Sequence, residues 1–503
     1  MSIIKLTENK KSSFVLKSSS EYTQASFTLI TSLVLSLILL VNSFDFKDFS
    51  IKPAVFITFM LYALFTGIQF FISLRIKQDI MEHGQIRTST RRLGYVQLIS
   101  ILTANIFIVS FAFNLIQKRK TSEYTFAVYM VMVQFFIIAV SALNIFKPYV
   151  ADLFPIGVLI LMIIAIFYIA ALVIVAKCAE SNTTHQVLWF LTIPLILTSI
   201  TGNLFALLLG ISLIIKLRNQ NRLGIGQWSL IWDKITRNIT AMLGMFFIIF
   251  VFAISICSYL TFDYDLAIEN NYEVLLQSPS LVYPLGTDNF GRDLFSRIVF
   301  GARISLIVGI ISTFIPVVIG GILGALAGYY GRQMDNVLMR LLDVLYAIPG
   351  ILLAIAIIAA FGANTMNLII ALSVGSIPTY ARTMRANVLM VSNLEYVDSA
   401  RALGSSDLAI IFKHIVPNSL APMIVKATLT IGGAVIATSS LSYLGLGVEP
   451  HIPEWGNILK IGSTYLESHS YLAIFPGLAI IALVLSFNFL GDGLRDALDP
   501  KMD

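Results

Sequence analysis

Hydrophobic runs long enough to cross a bilayer recur along most of this chain, and that recurrence leaves few folds open. A helix needs about 20 consecutive apolar residues to span the hydrocarbon core. Runs near that length stand at 25–43, 54–74, 95–115, 124–146, 153–176 and 188–215, and again at 241–260, 301–328, 338–361, 366–389, 420–446 and 471–491. Within lipid, a segment must satisfy its own backbone N–H and C=O groups, which a helix does. The expected fold is therefore all-α, a polytopic membrane protein of about twelve transmembrane helices. Composition agrees: 57% of residues are hydrophobic and 12% charged, and the mean hydropathy is +0.85, whereas a soluble domain carries roughly a quarter charged residues. The formal charge of +6 does not point to nucleic acid, because the Lys and Arg residues flank spans, where they set topology. Cys178 and Cys257 lie in or beside apolar runs and far apart, which indicates neither a disulfide framework nor a cysteine metal site.

The first two dozen residues carry Lys5, Lys10, Lys11 and Lys17. The run after them is too long for a secretory h-region and lacks an A-x-A-like cleavage site, so 1–24 reads as a cytoplasmic tail. The positive-inside rule then places Arg75–Arg92 and Lys216–Arg237 in the cytoplasm. One loop disagrees: Lys118-Arg119-Lys120 falls outside on this count, so either one span is misread locally or the flanking loops override it. The resulting division is a membrane domain of about six helices at 25–215, a basic amphipathic linker at 216–240, and a second membrane domain at 241–503.

Enzymatic motifs are missing. There is no G-x-x-x-x-G-K-[ST], G-x-S-x-G or H-E-x-x-H, and the five histidines (His83, His185, His414, His451, His469) lack ligand spacing. Gly286 and Gly291 have phosphate-loop spacing, but Arg292 stands where Lys is required. An interfacial turn and short helix held by Asp288, Arg292, Asp293 and Arg297 is the better reading. The ionisable residues of the second domain gather at one end: Arg340 and Asp343, Arg382 and Arg385, and Lys426. That distribution disfavours an ion-coupled secondary transporter, which places carboxylates near mid-membrane. Two readings stand for these arginines: pairing of Asp343 with Arg382 or Arg385, or snorkelling of the arginines to the headgroups. Gly301, Ser305 and Gly309, and then Gly320, Gly324 and Gly328, have the small-xxx-small spacing of close helix packing.

The stretch 392–417, SNLEYVDSARALGSSDLAIIFKHIVP, is too polar to cross the membrane. Ser392 and Glu395 have capping-box spacing, and Tyr396, Val397, Ala400 and Leu403 recur at helical period up to Gly404. A second short helix is marked by Ser405, Ser406 and Asp407, with Leu408, Ile411, Phe412 and Ile415 as its apolar face and Pro417 as its end. Two short helices joined at a glycine form a knob that needs a partner surface.

Asp398-Ser399-Ala400, Gly404 and His414-Ile415-Val416-Pro417 together resemble the EAA loop of ATP-binding-cassette importer permeases, with Asp398, Ser399 and Val416 as departures. PLGTDNFGRDLFSR (284–297), GARISLIVG (301–309), GYYG (328–331), SYLGLGV (442–448), PEWG (453–456) and FNFLGDGLRDALDPK (487–501) are similar to the dipeptide, oligopeptide and nickel permeases, so that the resemblance covers about residues 228–503. The positive-inside count puts both termini in the cytoplasm, and the resemblance implies a six-helix importer-permease domain in a bacterial cell membrane. It also implies that Glu395, Tyr396, Asp398, Ser399, Ala400, Arg401, Leu403, Gly404, Asp407, Phe412, His414 and Pro417 couple the permease to an ATPase. The implied partners are a second permease subunit, two ATPase subunits that hold ATP and Mg, an extracellular substrate-binding protein and membrane lipid. No catalytic residue, cofactor site or metal site is expected in this chain, and no nucleic-acid partner. Peptides are the implied substrate, with a nickel or other metal complex as the alternative. A sensor or interaction protein that has kept a permease-like domain is the reading from a different class. The cytoplasmic segments before residue 240 hold no second coupling loop, so 1–215 is expected to be an accessory domain and not a second permease.

Overall fold

In a computed structural model of the protein, residues 19–45, 50–51, 53–117, 121–148, 150–181, 187–218, 227–449 and 451–499 are described. The tail lysines, Lys118-Arg119-Lys120 and residues 219–226 of the 216–240 linker lie outside them. The regular structure of the described residues is helical apart from two-residue strands that pair Phe44 with Ile51 and an isolated bridge between Thr287 and Asp293.

The amino-terminal region runs through α1 (Ser20–Ser43), α2 (Pro53–His83), α3 (Thr88–Gln97, prolonged as a 3-10 turn to Thr103), α4 (Ile106–Ile116), α5 (Ser122–Ala142), α6 (Phe154–Ser181), α7 (Val187–Thr198, with a 3-10 turn to Thr201) and α8 (Leu204–Arg218). The order long helix, long helix, helical hairpin occurs twice, and the sequence repeats with it. Ser20-Glu21-Tyr22-Thr23 opens the first copy and Ser122-Glu123-Tyr124-Thr125 the second. Thr103-Ala104-Asn105-Ile106-Phe107 and Thr201-Gly202-Asn203-Leu204-Phe205 form the hairpin turns, with positive φ at Ala104 (55°) and Gly202 (86°). The legs pack tightly at glycine: a Cβ on Gly94 would lie 2.7 Å from Ile116, and one on Gly210 3.0 Å from Ile196.

The hairpins correct the span count. The runs 95–115 and 188–215 are not single crossings, because each reverses at a left-handed residue and returns. Arg91 donates to the carbonyls of Leu115 and Gln117, both at 3.1 Å, so Gln117 sits at the Arg91 end. Counting these two legs as one span is what put the loop after Gln117 on the outside in the positive-inside count; Lys118-Arg119-Lys120 themselves lie outside the described residues. Among the described residues, eight helices are long and apolar enough to cross a membrane, or nine if a bent pair is one span. A further 27-residue helix, Thr365–Val391, is more polar than these.

Two compact units emerge. One comprises 1–132, 165–196 and 205–221, the other 133–164, 197–204 and 222–503. In the first, Ala25, Ile72, Ile76, Ile80, Phe111 and Leu115 form a core, and the buried Gln69 donates to the Ala25 carbonyl and accepts from Gln97.

The second unit holds the remaining helices: α9 (Gln227–Arg237), α10 (Ile239–Thr261), α11 (Leu294–Tyr330), α12 (Arg332–Tyr346), α13 (Gly350–Phe361), α14 (Thr365–Val391), α15 (Glu395–Ala402), α16 (Asp407–Tyr443), α17 (Trp455–Thr464) and α18 (Tyr471–Leu498). The run read as one span at 338–361 is bent by 80° between α12 and α13, at Pro349, which cannot supply a backbone N–H. Both small-residue triplets on α11 pack within the chain. A Cβ on Gly320 would meet the Ile377 carbonyl at 2.7 Å, and one on Gly324 the Ala381 carbonyl at 2.2 Å, so α11 and α14 touch backbone to backbone. Gly301 lies against Pro453 and Trp455, and Gly309 against Val435.

One end of this unit is capped by the 262–293 segment and α17. The turn read from PLGTDNFGRDLFSR is present. Asp288 accepts from the backbone of Phe290 and Arg292 and pairs with the Arg292 side chain at 2.8 Å, while Arg297 donates to the Ala267 carbonyl at 2.7 Å. The turn leads not into a short helix but into the 37-residue α11, capped by Asp293. Glu454 caps α17 through the N–H groups of Gly456 and Asn457. Burial pushes its carboxyl up, and those donors together with the Ser442 and Ser439 hydroxyls pull it back.

Candidate functional site

The knob lies at the opposite end of the second unit. Leu394, not Ser392, is the N-cap of α15, and it offers no capping side chain. Ser392 instead ends α14, its hydroxyl bonding the Leu389 carbonyl, so the capping-box reading is corrected. Gly404 turns the chain with φ +77°, and a Cβ there would meet nothing within 4 Å. Glycine is required by the left-handed backbone and not by space.

The second short helix does not stop at Pro417. Asp407–Tyr443 is one 37-residue helix that widens to a π-turn at Ile410–Ile415, immediately before the proline. A proline in a regular α-helix clashes with the carbonyl four residues back, and the wider turn relieves that clash. The His414 carbonyl is taken up by the Tyr396 hydroxyl at 3.3 Å and the Asn418 amide at 2.6 Å. These contacts tie α15 to the start of α16.

The expected apolar face divides in two. Ile410, Ile411 and Ile415 are fully buried with Val397 and Ala400 against Ala325, Tyr380, Met384, Val388 and Met423. Leu403, Leu408 and Phe412 point away, at 86%, 58% and 51% exposure. The inner set fastens the knob to its own helices, and the outer set is an apolar surface offered elsewhere. Of the other residues singled out, Glu395 opens α15 exposed, Ser399 donates to the Glu395 carbonyl at 2.9 Å, Asp398 and Arg401 pair at 2.9 Å on the surface, and Asp407 accepts from Tyr329 at 2.7 Å.

Beside the knob, Arg382 pairs with Asp343 at 2.5 Å and lies 4.0 Å from the Tyr346 ring centroid. Arg385 makes a bidentate pair with Asp335, both bonds 2.5 Å. Both pairs bind α12 to α14, and the second was not expected. Lys426 donates to the Thr379 carbonyl and the Thr383 hydroxyl.

Above the knob, a cavity of about 240 Å³ opens between α11, α13, α14 and α16. Hydroxyl groups of Ser312, Thr313, Ser376 and Thr430 stand among small or apolar residues such as Gly433 and Ala437, and none of the described lining residues is charged. The cavity walls come from α11 and α16 and also from α13 and α14, which only the fold brings to the same place.

An all-α membrane unit with a cavity between its helices, and an apolar knob continuous with one of them, has the parts that a membrane subunit of a transporter requires. Residues 320–503 match the family model described as "Binding-protein-dependent transport system inner membrane component", and residues 226–279 match "N-terminal TM domain of oligopeptide transport permease C". The glutathione transport system permease protein GsiD of Pectobacterium atrosepticum is 44% identical over 275 residues, 55% of this chain and 91% of that protein. The dipeptide transport system permease protein DppC of Alkalihalophilus pseudofirmus is 42% identical over 278 residues, again 55% and 91%. The chain belongs to this family of binding-protein-dependent ABC importer permeases, and is a multi-pass protein of a bacterial membrane. A solved structure of the MetNI methionine ABC transporter in inward facing conformations aligns with a TM-score of 0.34 and 21% identity, over 40% of this chain and 97% of that one; the likeness is too remote to carry an argument.

Proposed function

We propose that this chain is one of two permease subunits of an importer for di- or oligopeptides, glutathione-like peptides included, driven by two separate ATPase subunits. The observation that carries this reading is the exposed Leu403, Leu408 and Phe412 surface at the foot of the helix that lines the cavity with Thr430, Gly433, Ala434 and Ala437. An apolar knob of this kind suits a hydrophobic groove on an ATPase, and Glu395 to Pro417 transmit the movement. ATP and Mg are held by the partners. The uncharged, hydroxyl-bearing cavity suits a substrate whose side chains vary while its backbone stays polar, which supports peptides along with the names of the relatives. An extracellular binding protein delivers substrate at the 262–293 and α17 end, and both termini and the knob are cytoplasmic. The amino-terminal helices that fold apart from the permease unit, in 25–132 and 165–196, form an accessory membrane domain, and a separate chain supplies the second permease. The test is purification from the native membrane by a tag on this chain, identification of the co-purifying subunits, and uptake of labelled dipeptide, glutathione and nickel complex. Co-purification of ATPase subunits with peptide uptake supports the reading; absence of an ATPase, or uptake of the nickel complex alone, overturns it.

A further inference from the structure

The family-model matches begin at residue 226, yet residues 133–164 fold into the same compact unit as the permease helices. The contacts are specific. Asn144 donates to the Thr261 carbonyl at 2.7 Å and Ser141 to the Thr261 hydroxyl at 3.1 Å, at the last residue of α10. Phe136 packs edge-on against Phe246 and Phe250. Beyond them, the Lys147 side chain is 1% exposed; its ammonium binds the Asp293 carboxylate and donates to the Ser296 hydroxyl at 2.7 Å. The rings of Phe295 and Phe262 lie 5.3 and 5.7 Å away, the second just past the end of α10. Asp293 is itself the N-cap of α11, accepting from Ser296 N at 2.9 Å.

Asp293 belongs to the PLGTDNFGRDLFSR run, on the permease side. Asp288, five residues earlier, takes Arg292 and lies 3.7 Å from Arg297, whereas the charge partner of Asp293 comes from outside the matched region. A buried carboxylate that loses its counter-charge is strongly destabilised. The duplication sharpens the point. Aligned from SEYT, Asn42 and Phe44 of the first copy correspond to Asn144 and Phe146 of the second, but Asp45 stands opposite Lys147. At this position of the repeat the lysine is found in the second copy and not in the first. Burial pushes the ammonium down from the usual lysine range and the Asp293 charge pulls it back, as for a cation kept for its partner.

We propose that Lys147 is the built-in counter-ion of Asp293 and that residues 133–164 are thereby an integral part of the permease unit, fixing the end of α10 to the start of α11. Lys147 acts as a positioning residue, without contact to substrate. The test is a double-mutant cycle in the full-length chain within its purified complex: Lys147→Met, Asp293→Asn, both together, and Lys147→Arg. Asn keeps the capping function at 293, so the cycle isolates the charge pair. Limited proteolysis within 262–293 and substrate uptake are read in parallel. The lysine variant is expected to be cleaved at least tenfold faster and to lose uptake by a similar factor, while Lys147→Arg and the double variant recover most of both. ATPase co-purification through the distant knob should change less than twofold. Wild-type protease resistance in Lys147→Met, or a double variant no better than the worse single one, would overturn the proposal. Proteolysis needs no transport, so the result stands apart from the importer reading. If Lys147→Met fails to accumulate, recovery of folded protein by the double variant decides, and its failure counts against the ion pair.

Discussion

Gly404 offers the most direct trial of the coupling role proposed for the knob. Its φ of +77° lies in the left-handed region, and a Cβ would have open space, so a substitution there is penalised by the backbone alone. That penalty is about 1–2 kcal/mol for an ordinary residue, with a β-branched side chain at the upper end and Asn, which tolerates this region, at the lower. The Ser405 N–H to Ala400 carbonyl bond of 3.2 Å closes the turn, and distorting it re-aims Leu403 relative to Leu408 and Phe412. Since about 1.4 kcal/mol is tenfold in an equilibrium, Gly404→Val should weaken ATPase association about 5- to 30-fold and uptake in proportion. Gly404→Asn should cost less than about threefold. Membrane insertion and thermal stability of the helical core should not change. The assay is ATPase binding to the permease in nanodiscs, with uptake in proteoliposomes at matched protein levels. Wild-type binding by the Val variant, or equal losses for Val and Asn, would refute the argument.

The inner and outer faces of the knob should separate experimentally. Phe412→Asp or Leu403→Asp should abolish ATPase binding with little loss of stability, whereas Ile411→Ala should cost about 2–5 kcal/mol of stability, seen as a lowered melting temperature. An impermeant thiol reagent applied to intact cells should label a cysteine at Asp152 but not at Ser405 or Thr121; labelling at Thr121 would contradict the hairpin reading of 88–116. Gly324→Leu should prevent accumulation of folded protein, because no side chain fits a site where a Cβ already lies 2.2 Å from the Ala381 carbonyl; normal yield on a gel of the membrane fraction would refute the backbone contact.

Helices were legible in the sequence wherever a long apolar run met a boundary signal, as in α10 and α18. The hairpins were not, because a hydropathy average does not register one left-handed residue, and Ala104 and Gly202 lie inside otherwise continuous runs. The repeated SEYT and the TAN and TGN turns were the available signal. At the knob, helical period identified the apolar residues but could not tell which side met the protein's own helices: Ile411 and Phe412 are neighbours with opposite fates. Pro417 misled because the π-turn that accommodates it leaves no mark in composition. Lys147 could not be found at all from the sequence, since its partner stands 146 residues away.

The unbroken helix from Asp407 to Tyr443 also sets a mechanical scale. Phe412, on the exposed knob, and Ala437, in the cavity wall, are 25 residues apart on one rod, roughly 37 Å at the 1.5 Å rise of a helix. Because the second half of the knob, from Asp407, is the end of the beam, a tilt of about 10° pivoting at Phe412 would carry Ala437 sideways by about 6 Å, comparable to the width of a small side chain's passage. Leverage of that size needs no hinge at the membrane surface, only a foot that is pushed.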